Sequence, residues 1–446
     1  MAIFNQDEAR SILEKAMKYS KSDECEANLN GNVGGNIRYA LNTVTTAGQI
    51  SDTELVVQSG FGKRVGTATI NEFDDVSIEK VVRRSEELAR LAPENPEWVS
   101  IEGPHDYAKS RAYFESTNAI DAGFRAAAAA GSIEPAQKNA TTAAGFLEDG
   151  TRFQAMLNSK GLFAYHIGTN CDFSVTMRTD DGTGSGWATG YANDVSRLDT
   201  AATSKRALDK ALMSRDAKAL EPGKYTVILE PNASVQLISN MVNAFDARLA
   251  DEGRSFLSKE GGGTRLGEKL FDERVTLYSD PLNPDVPVAA WAEDGRPRER
   301  VVWIKNGVVN NLFYSRFWAQ EKEAPATPPP GNGIMEGGKK STAELIKSTE
   351  RGILVTRLWY IRAVDPQTQL YTGLTRDGTF YIEGGEIKYP VKNFRFNESP
   401  VIMLNNLEEL GRPERVVAGG GEGGTPVMMP AMKIREFTFT SLSDAV

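Results

Sequence analysis

Turn dipeptides set between strand-like runs constrain the fold of this chain more than any other feature. Asn306-Gly307 lies between Val-Val-Trp-Ile-Lys and Val-Val-Asn-Asn-Leu. An Asn-Gly pair accepts the positive φ values of a two-residue hairpin turn, so two antiparallel strands are expected there. Ile37, Tyr39 and Leu41 recur at alternate positions, and strand-like runs at 54–58 and 64–70 follow. Asp149-Gly150 and Lys160-Gly161 mark further hairpin turns, among strands expected near 137–147, 152–158, 162–179 and 186–193. A last group is expected at 225–229, 351–361, 378–383, 386–389, 391–397 and 431–440.

Helices punctuate these strands. Asn5 caps the first, with Glu8 three residues on as in a capping box, and Ile12, Leu13, Ala16 and Met17 then keep helical spacing. Others are expected near 75–91, 116–130, 199–217, 232–249, 342–348 and 399–410. The stretch from Ala324 to Gly333, which contains Pro-Pro-Pro-Gly, reads as a loop, as does the Gly-rich 419–424. Pro93 and Pro96 precede a boundary near 95–110, and Glu221-Pro222-Gly223 marks a second. Hairpins outnumber strand–helix–strand units, which gives an α+β class. The expected domains are an N-terminal helix and antiparallel-sheet region at 1–100, a strand-rich central region at 101–220, and a C-terminal mixed α/β domain at 221–446.

The chemistry available to such a fold is narrow. Among 446 residues there are two histidines, His105 and His166, and two cysteines, Cys25 and Cys171. A catalytic zinc site of the usual kind takes two or three histidines, often paired on one helical face. These two lie far apart, His105 in a loop-like Gly-Pro-His-Asp-Tyr and His166 in a strand-like Phe-Ala-Tyr-His-Ile-Gly. Cys171 has no basic neighbour in sequence to activate it. The net charge of −9 argues against general nucleic-acid binding. No apolar run approaches the ~20 residues of a membrane span, and the N-terminus lacks a signal-peptide pattern, so a cytoplasmic protein with reduced thiols is expected.

Other motifs fail on chemistry or context. Gly262-Gly-Thr-Arg-Leu-Gly267-Glu268-Lys269 places a carboxylate where a phosphate-binding loop needs its lysine. Gly182-Thr-Gly-Ser185-Gly-Trp187 is too irregular for a dinucleotide loop and lacks the glycines of a nucleophile elbow. It reads as a bend between strands, with a place beside a substrate groove as the functional alternative. Asp180, Asp181 and Asp194 read as turn carboxylates rather than a cation site. Ser77 and Lys80 have a Ser-x-x-Lys spacing with no companion motif.

The C-terminal third is distinctive. It carries Ile353-Leu-Val-Thr-Arg-Leu, then Val364-Asp-Pro-Gln-Thr-Gln-Leu-Tyr-Thr-Gly-Leu-Thr-Arg-Asp-Gly-Thr-Phe380, then Tyr381-Ile-Glu-Gly-Gly-Glu-Ile-Lys-Tyr-Pro-Val-Lys-Asn-Phe-Arg-Phe396. With the tail Met429-Pro-Ala-Met-Lys-Ile434, this resembles the TldD/PmbA family, which includes TldE, over nearly the whole chain. The resemblance implies peptide processing. TldD-like members are zinc metallopeptidases with a His-Glu-x-x-x-His helix and a later cysteine ligand, and they pair with a TldE partner that lacks the zinc site. Such pairs degrade unstructured peptides or mature peptide products, with the substrate lying extended.

By that resemblance the motif falls at 237–244. Ser239 and Ala244 then occupy the histidine positions and Asn240 that of the glutamate, while 418–424 reads Ala-Gly-Gly-Gly-Glu-Gly-Gly without the cysteine. Serine is a poor zinc ligand, alanine is none, and asparagine is no general base at neutral pH. The expectation is therefore a TldE-like subunit with no catalytic or metal-binding residue of its own. Zinc would sit in a TldD-like partner, and an extended peptide would be the substrate. A homodimeric peptide-binding protein without chemistry is the second reading. A hydrolase using carboxylates such as Asp246, Asp251 and Glu252 is the third.

Overall fold

The computed structural model describes residues 3–418 and 424–443. In chain order the first part comprises α1 (Gln6–Tyr19), β1 (Glu24–Ala40), β2 (Thr43–Phe61), β3 (Arg64–Ile70), α2 (Asp75–Leu91), α3 (Glu115–Asn118), α4 (Ala122–Lys138), β4 (Thr141–Asn158), β5 (Phe163–Thr179), β6 (Ser185–Ala192) and α5 (Thr200–Met213). The second part runs β7 (Gly223–Leu229), α6 (Pro231–Val242), α7 (Ala247–Asp251), β8 (Leu277–Ser279), β9 (Val301–Lys305), β10 (Val308–Val309), α8 (Arg316–Glu321), β11 (Gly333–Met335) and α9 (Thr342–Lys347). It ends with β12 (Arg351–Asp365), β13 (Leu370–Glu383), β14 (Glu386–Pro390), β15 (Phe394–Glu398), α10 (Pro400–Asn405), β16 (Leu407–Ala418) and β17 (Thr425–Leu442). This is the expected α+β architecture.

The first part builds one antiparallel six-stranded sheet in the order β3-β2-β1-β4-β5-β6. β1 pairs with β4 from Glu26 with Asn158 to Tyr39 with Gly145, so strands from before and after residue 100 share one sheet. Strand alternation gives this sheet two different faces. Ala27, Leu29, Leu55, Val57, Ala155 and Leu157 bury against α1 and α2. Further along the same face, Ile37, Tyr39, Leu147, Phe173 and Val175 bury against α4 and α5. The alternate positions form the opposite face, where Met156, Leu162 and Ala164 pack on Ala289 and Trp291 of the second part. The asparagine cap and capping box of α1 form as the sequence implies.

In the second part β17, β15, β13, β12 and β7 pair in succession, and β7 returns to β17, closing a ring of strands. Phe394, Phe396, Phe437 and Phe439 fill the largest core together with the buried side of α6. No helix among the described residues is long and apolar enough to cross a membrane.

Four local expectations change. Asp149-Gly150 is no turn but lies within β4, because β1 and β5 pair with both residues from either side. The helix expected at 116–130 divides into α3 and α4, and α4 continues through Pro135 to Lys138, over residues expected to begin a strand. The helix expected at 232–249 breaks after Val242 and resumes at Ala247. The one expected at 399–410 stops at Asn405, and its remainder enters β16, paired with β17. In the glycine-rich 419–424 loop, residues 419–423 lie outside the described residues.

Candidate functional site

Helix α6 follows directly from β7, with Pro231 in its first turn, where a missing N–H costs nothing. Ala233, Val235, Leu237, Ile238 and Met241 hold it in the core. Gln236, Ser239, Asn240 and Asn243 line a cavity of about 280 Å³, closed on the far side by Leu277, Trp303 and Val427. Two of the three motif positions therefore reach one cavity. Both side chains turn back on the helix: Ser239 Oγ donates to the Val235 carbonyl at 2.7 Å, and Asn240 Nδ2 to that of Gln236 at 2.9 Å.

Ala244 lies beyond the end of α6, where the Ala244 and Phe245 N–H groups donate three residues back, to Met241 and Val242. The structure thus does not bring Ala244 together with the other two in this cavity. None of the described residues lining the cavity is a histidine, cysteine, aspartate or glutamate. No group of three such residues comes together anywhere among the described residues. This donor set does not fit zinc, which takes thiolate, imidazole or carboxylate ligands.

A larger cleft of about 580 Å³ adjoins the α6 cavity, and both count Gly424 and Thr425 in their walls. Its floor is the second face of the six-stranded sheet, with Asn32, Arg152, Gln154, His166, Asn170 and Asp172 side by side across β1, β4 and β5. Its roof is the segment Pro287, Val288, Ala289 and Arg298 with Gly331. Asn332 fixes that roof: its Nδ2 donates to the carbonyls of Asp280 and Val286, both at 2.6 Å, and its Oδ1 accepts from the Asp280 N–H at 3.0 Å. Burial holds His166 down at about 4, so the imidazole is neutral. Burial pushes the Asp172 carboxyl up to about 7, against the opposing hydrogen bond from Asn170.

Most of the remaining sequence candidates have structural partners. His105 Nε2 meets Glu102 at 3.1 Å. Cys25 and Cys171 are buried free thiols, both pushed up by burial, Cys25 to about 11. Asp180 accepts from Thr142, Asp181 from Thr179 and Thr183, and Asp194 from Ser116. Ser185 donates to Asp377, and Ser77 to Glu72. In the loop at 262–269, Glu268 pairs with Lys259 and Lys269 with Glu273. Asp246 caps α7, Asp251 accepts from Trp318, and Glu252 pairs with Arg248. These three carboxylates do not converge on a shared proton or ligand. Individual sequence motifs missed the cleft floor. Its signal is polar residues at alternate positions of strands whose other face is apolar.

Models of the PmbA/TldA metallopeptidase central and C-terminal domains match residues 115–215 and 222–441. The chain belongs to the PmbA/TldD family. Metalloprotease PmbA of Escherichia coli O157:H7 is 22% identical over 97% of this chain and 98% of its own length. A metalloprotease of Methanothermobacter thermautotrophicus is 26% identical over 63% of this chain and 66% of its own. In fold, this PmbA/TldD chain superposes on TldE from Thermococcus kodakarensis with a TM-score of 0.85, at 19% identity over 97% and 99% of the two chains. A Thermotoga maritima protein proposed as a modulator of a DNA gyrase gives the same TM-score at 16% identity, over 97% of this chain and all of its own.

Proposed function

We propose that this chain is a TldE-like subunit of a two-component metallopeptidase system acting on unstructured peptides, and that it carries no catalytic zinc itself. The observation that carries this reading is the α6 cavity. At the place the family resemblance assigns to metal ligands stand two side chains bonded to their own helix, Ser239 and Asn240. The adjoining cleft supports a role in holding an extended chain, because its floor presents side-chain hydrogen-bonding groups along several strands. A TldD-like chain supplies zinc in this scheme, and this subunit helps form the peptide channel.

Assembly is supported by an open sheet edge. β3 pairs with β2 only from Leu55 onward, so the outer edge of β2 from Thr43 to Glu54 has no strand beside it among the described residues. It has no proline and no basic residue, the usual protections of an exposed edge. The same edge suits a second copy of this chain, which is the alternative assembly.

Purification of the chain alone and together with a TldD-like subunit, followed by zinc analysis and a peptide-hydrolysis assay, tests the proposal. The expected result is a stable pair in which zinc and cleavage depend on the partner. Stoichiometric zinc and robust cleavage by the lone chain would sink it.

A further inference from the structure

Arg298 in the cleft roof is a cation with no salt-bridge partner among the described residues, Glu293 and Asp294 acting on it only from longer range. It is half-buried. Among the described residues its guanidinium makes one hydrogen bond, Nη1 to the Trp291 carbonyl at 2.9 Å, and its Nε is buried without a partner. A guanidinium carries five donors, and leaving them desolvated and unpaired is costly. The backbone keeps room for it: a Cβ at Gly331 would sit 3.2 Å from Nη1 and 3.3 Å from Cδ. The side chain is thus packed in place and faces the cleft with unused donors.

The rest of the cleft sharpens the ligand's chemistry. Arg152, the other arginine lining it, already pairs with Glu148 at 3.0 Å. The acidic side chains Asp52 and Glu54 line the opposite wall. They disfavour an anion placed against the sheet. A carboxylate entering the cleft is therefore drawn to the roof at Arg298, where the planar fork matches it bidentately.

We propose that Arg298 anchors a carboxylate of the bound peptide, either its C-terminus or an acidic side chain, and so fixes the peptide's direction in the cleft. This rests on the peptide-binding reading above. Fluorescence anisotropy with the full chain and an unstructured, N-terminally labelled decapeptide tests it. The peptide is compared with its C-terminal amide and with a version whose internal Glu is replaced by Gln. The parent chain is expected to lose at least about tenfold in affinity for one of the two neutralised peptides. That arm identifies the source of the carboxylate.

Arg298→Met should abolish the discrimination, and Arg298→Lys should retain part of it. Gly331→Ala, which crowds the guanidinium without removing it, should weaken the discrimination at unchanged charge. Equal binding of all three peptides by the parent overturns the anchor while leaving the peptide-binding reading intact. So does discrimination that survives Arg298→Met. Failure of every peptide to bind overturns both.

Discussion

Arg125 and Asp149 form a buried pair under the six-stranded sheet, with side chains 7% and 5% exposed. The guanidinium donates from Nε and Nη2 to the two carboxylate oxygens at 2.6 and 2.8 Å. The opposing strand makes room through Gly35, where a Cβ would fall 2.2 Å from the guanidinium carbon. Burial pushes the Asp149 carboxyl up, and Arg125 offsets part of that cost. Removing one partner of such a pair leaves an uncompensated buried charge, at about 3–5 kcal/mol. Arg125→Met should therefore destabilise the protein by that amount in urea unfolding near neutral pH. In the variant the carboxyl is raised further, so its protonated form suits the fold better. The deficit should narrow as pH falls toward 3.8, the ordinary value of the carboxyl. A deficit that does not depend on pH would mean that lost packing, not the stranded charge, carries the effect.

β5 sets two titratable groups on the cleft with opposite linkage. His166 titrates at about 4 in the fold against an ordinary 6.5, so between those values the unfolded chain binds a proton the fold refuses, and stability rises with pH. Asp172 titrates at about 7 against 3.8, so the fold keeps a proton the unfolded chain has lost, and stability falls as pH rises through that window. The two slopes oppose each other between about 4 and 6.5. Relative to the parent, Asp172→Asn should gain stability as pH rises from about 4 to 7. His166→Gln should lose relative stability as pH rises from about 4 to 6.5. Each change is on the order of 2 kcal/mol, read from denaturation midpoints across pH.

The same strands show what sequence made legible and what it did not. Cap chemistry is local, so Asn5 and Glu8 announced α1. Asp149-Gly150 misled because turn chemistry is also local, while neighbouring strands pair across it on both sides. Pro400 opens α10 as a helix-starting proline should, yet the following residues are claimed by pairing with β17. Ser239 and Asn240 could be placed by resemblance, but the break after Val242 that separates Ala244 from them depends on tertiary packing. Arg298 carried no motif. Its meaning comes only from the cleft around it.

At the scale of the molecule, the decisive question is which parts fold together. Prolines at 93 and 96 suggest a boundary, and the chain from 93 to 114 is indeed irregular. Yet the sheet runs across it, and the segment is tied to the second part as well. Glu97 pairs with Arg248 at 2.8 Å, Glu102 with Arg316 at 2.6 Å, and the Tyr107 hydroxyl donates to the Gly295 carbonyl at 2.5 Å. Lys109 and Arg111 within it are exposed, which makes them accessible to trypsin. Limited digestion should nick the chain there without separating the pieces, because β1 keeps its fourteen residue pairs with β4 and α1 keeps its apolar contacts with the sheet. Two fragments are expected on a denaturing gel and one species in native size-exclusion chromatography, with separation only in denaturant. Free elution of an intact N-terminal fragment would instead show an independent domain. The cleft floor would then belong to a movable joint, because Asn32 on β1 and Arg152 on β4 are neighbours only while the sheet is whole.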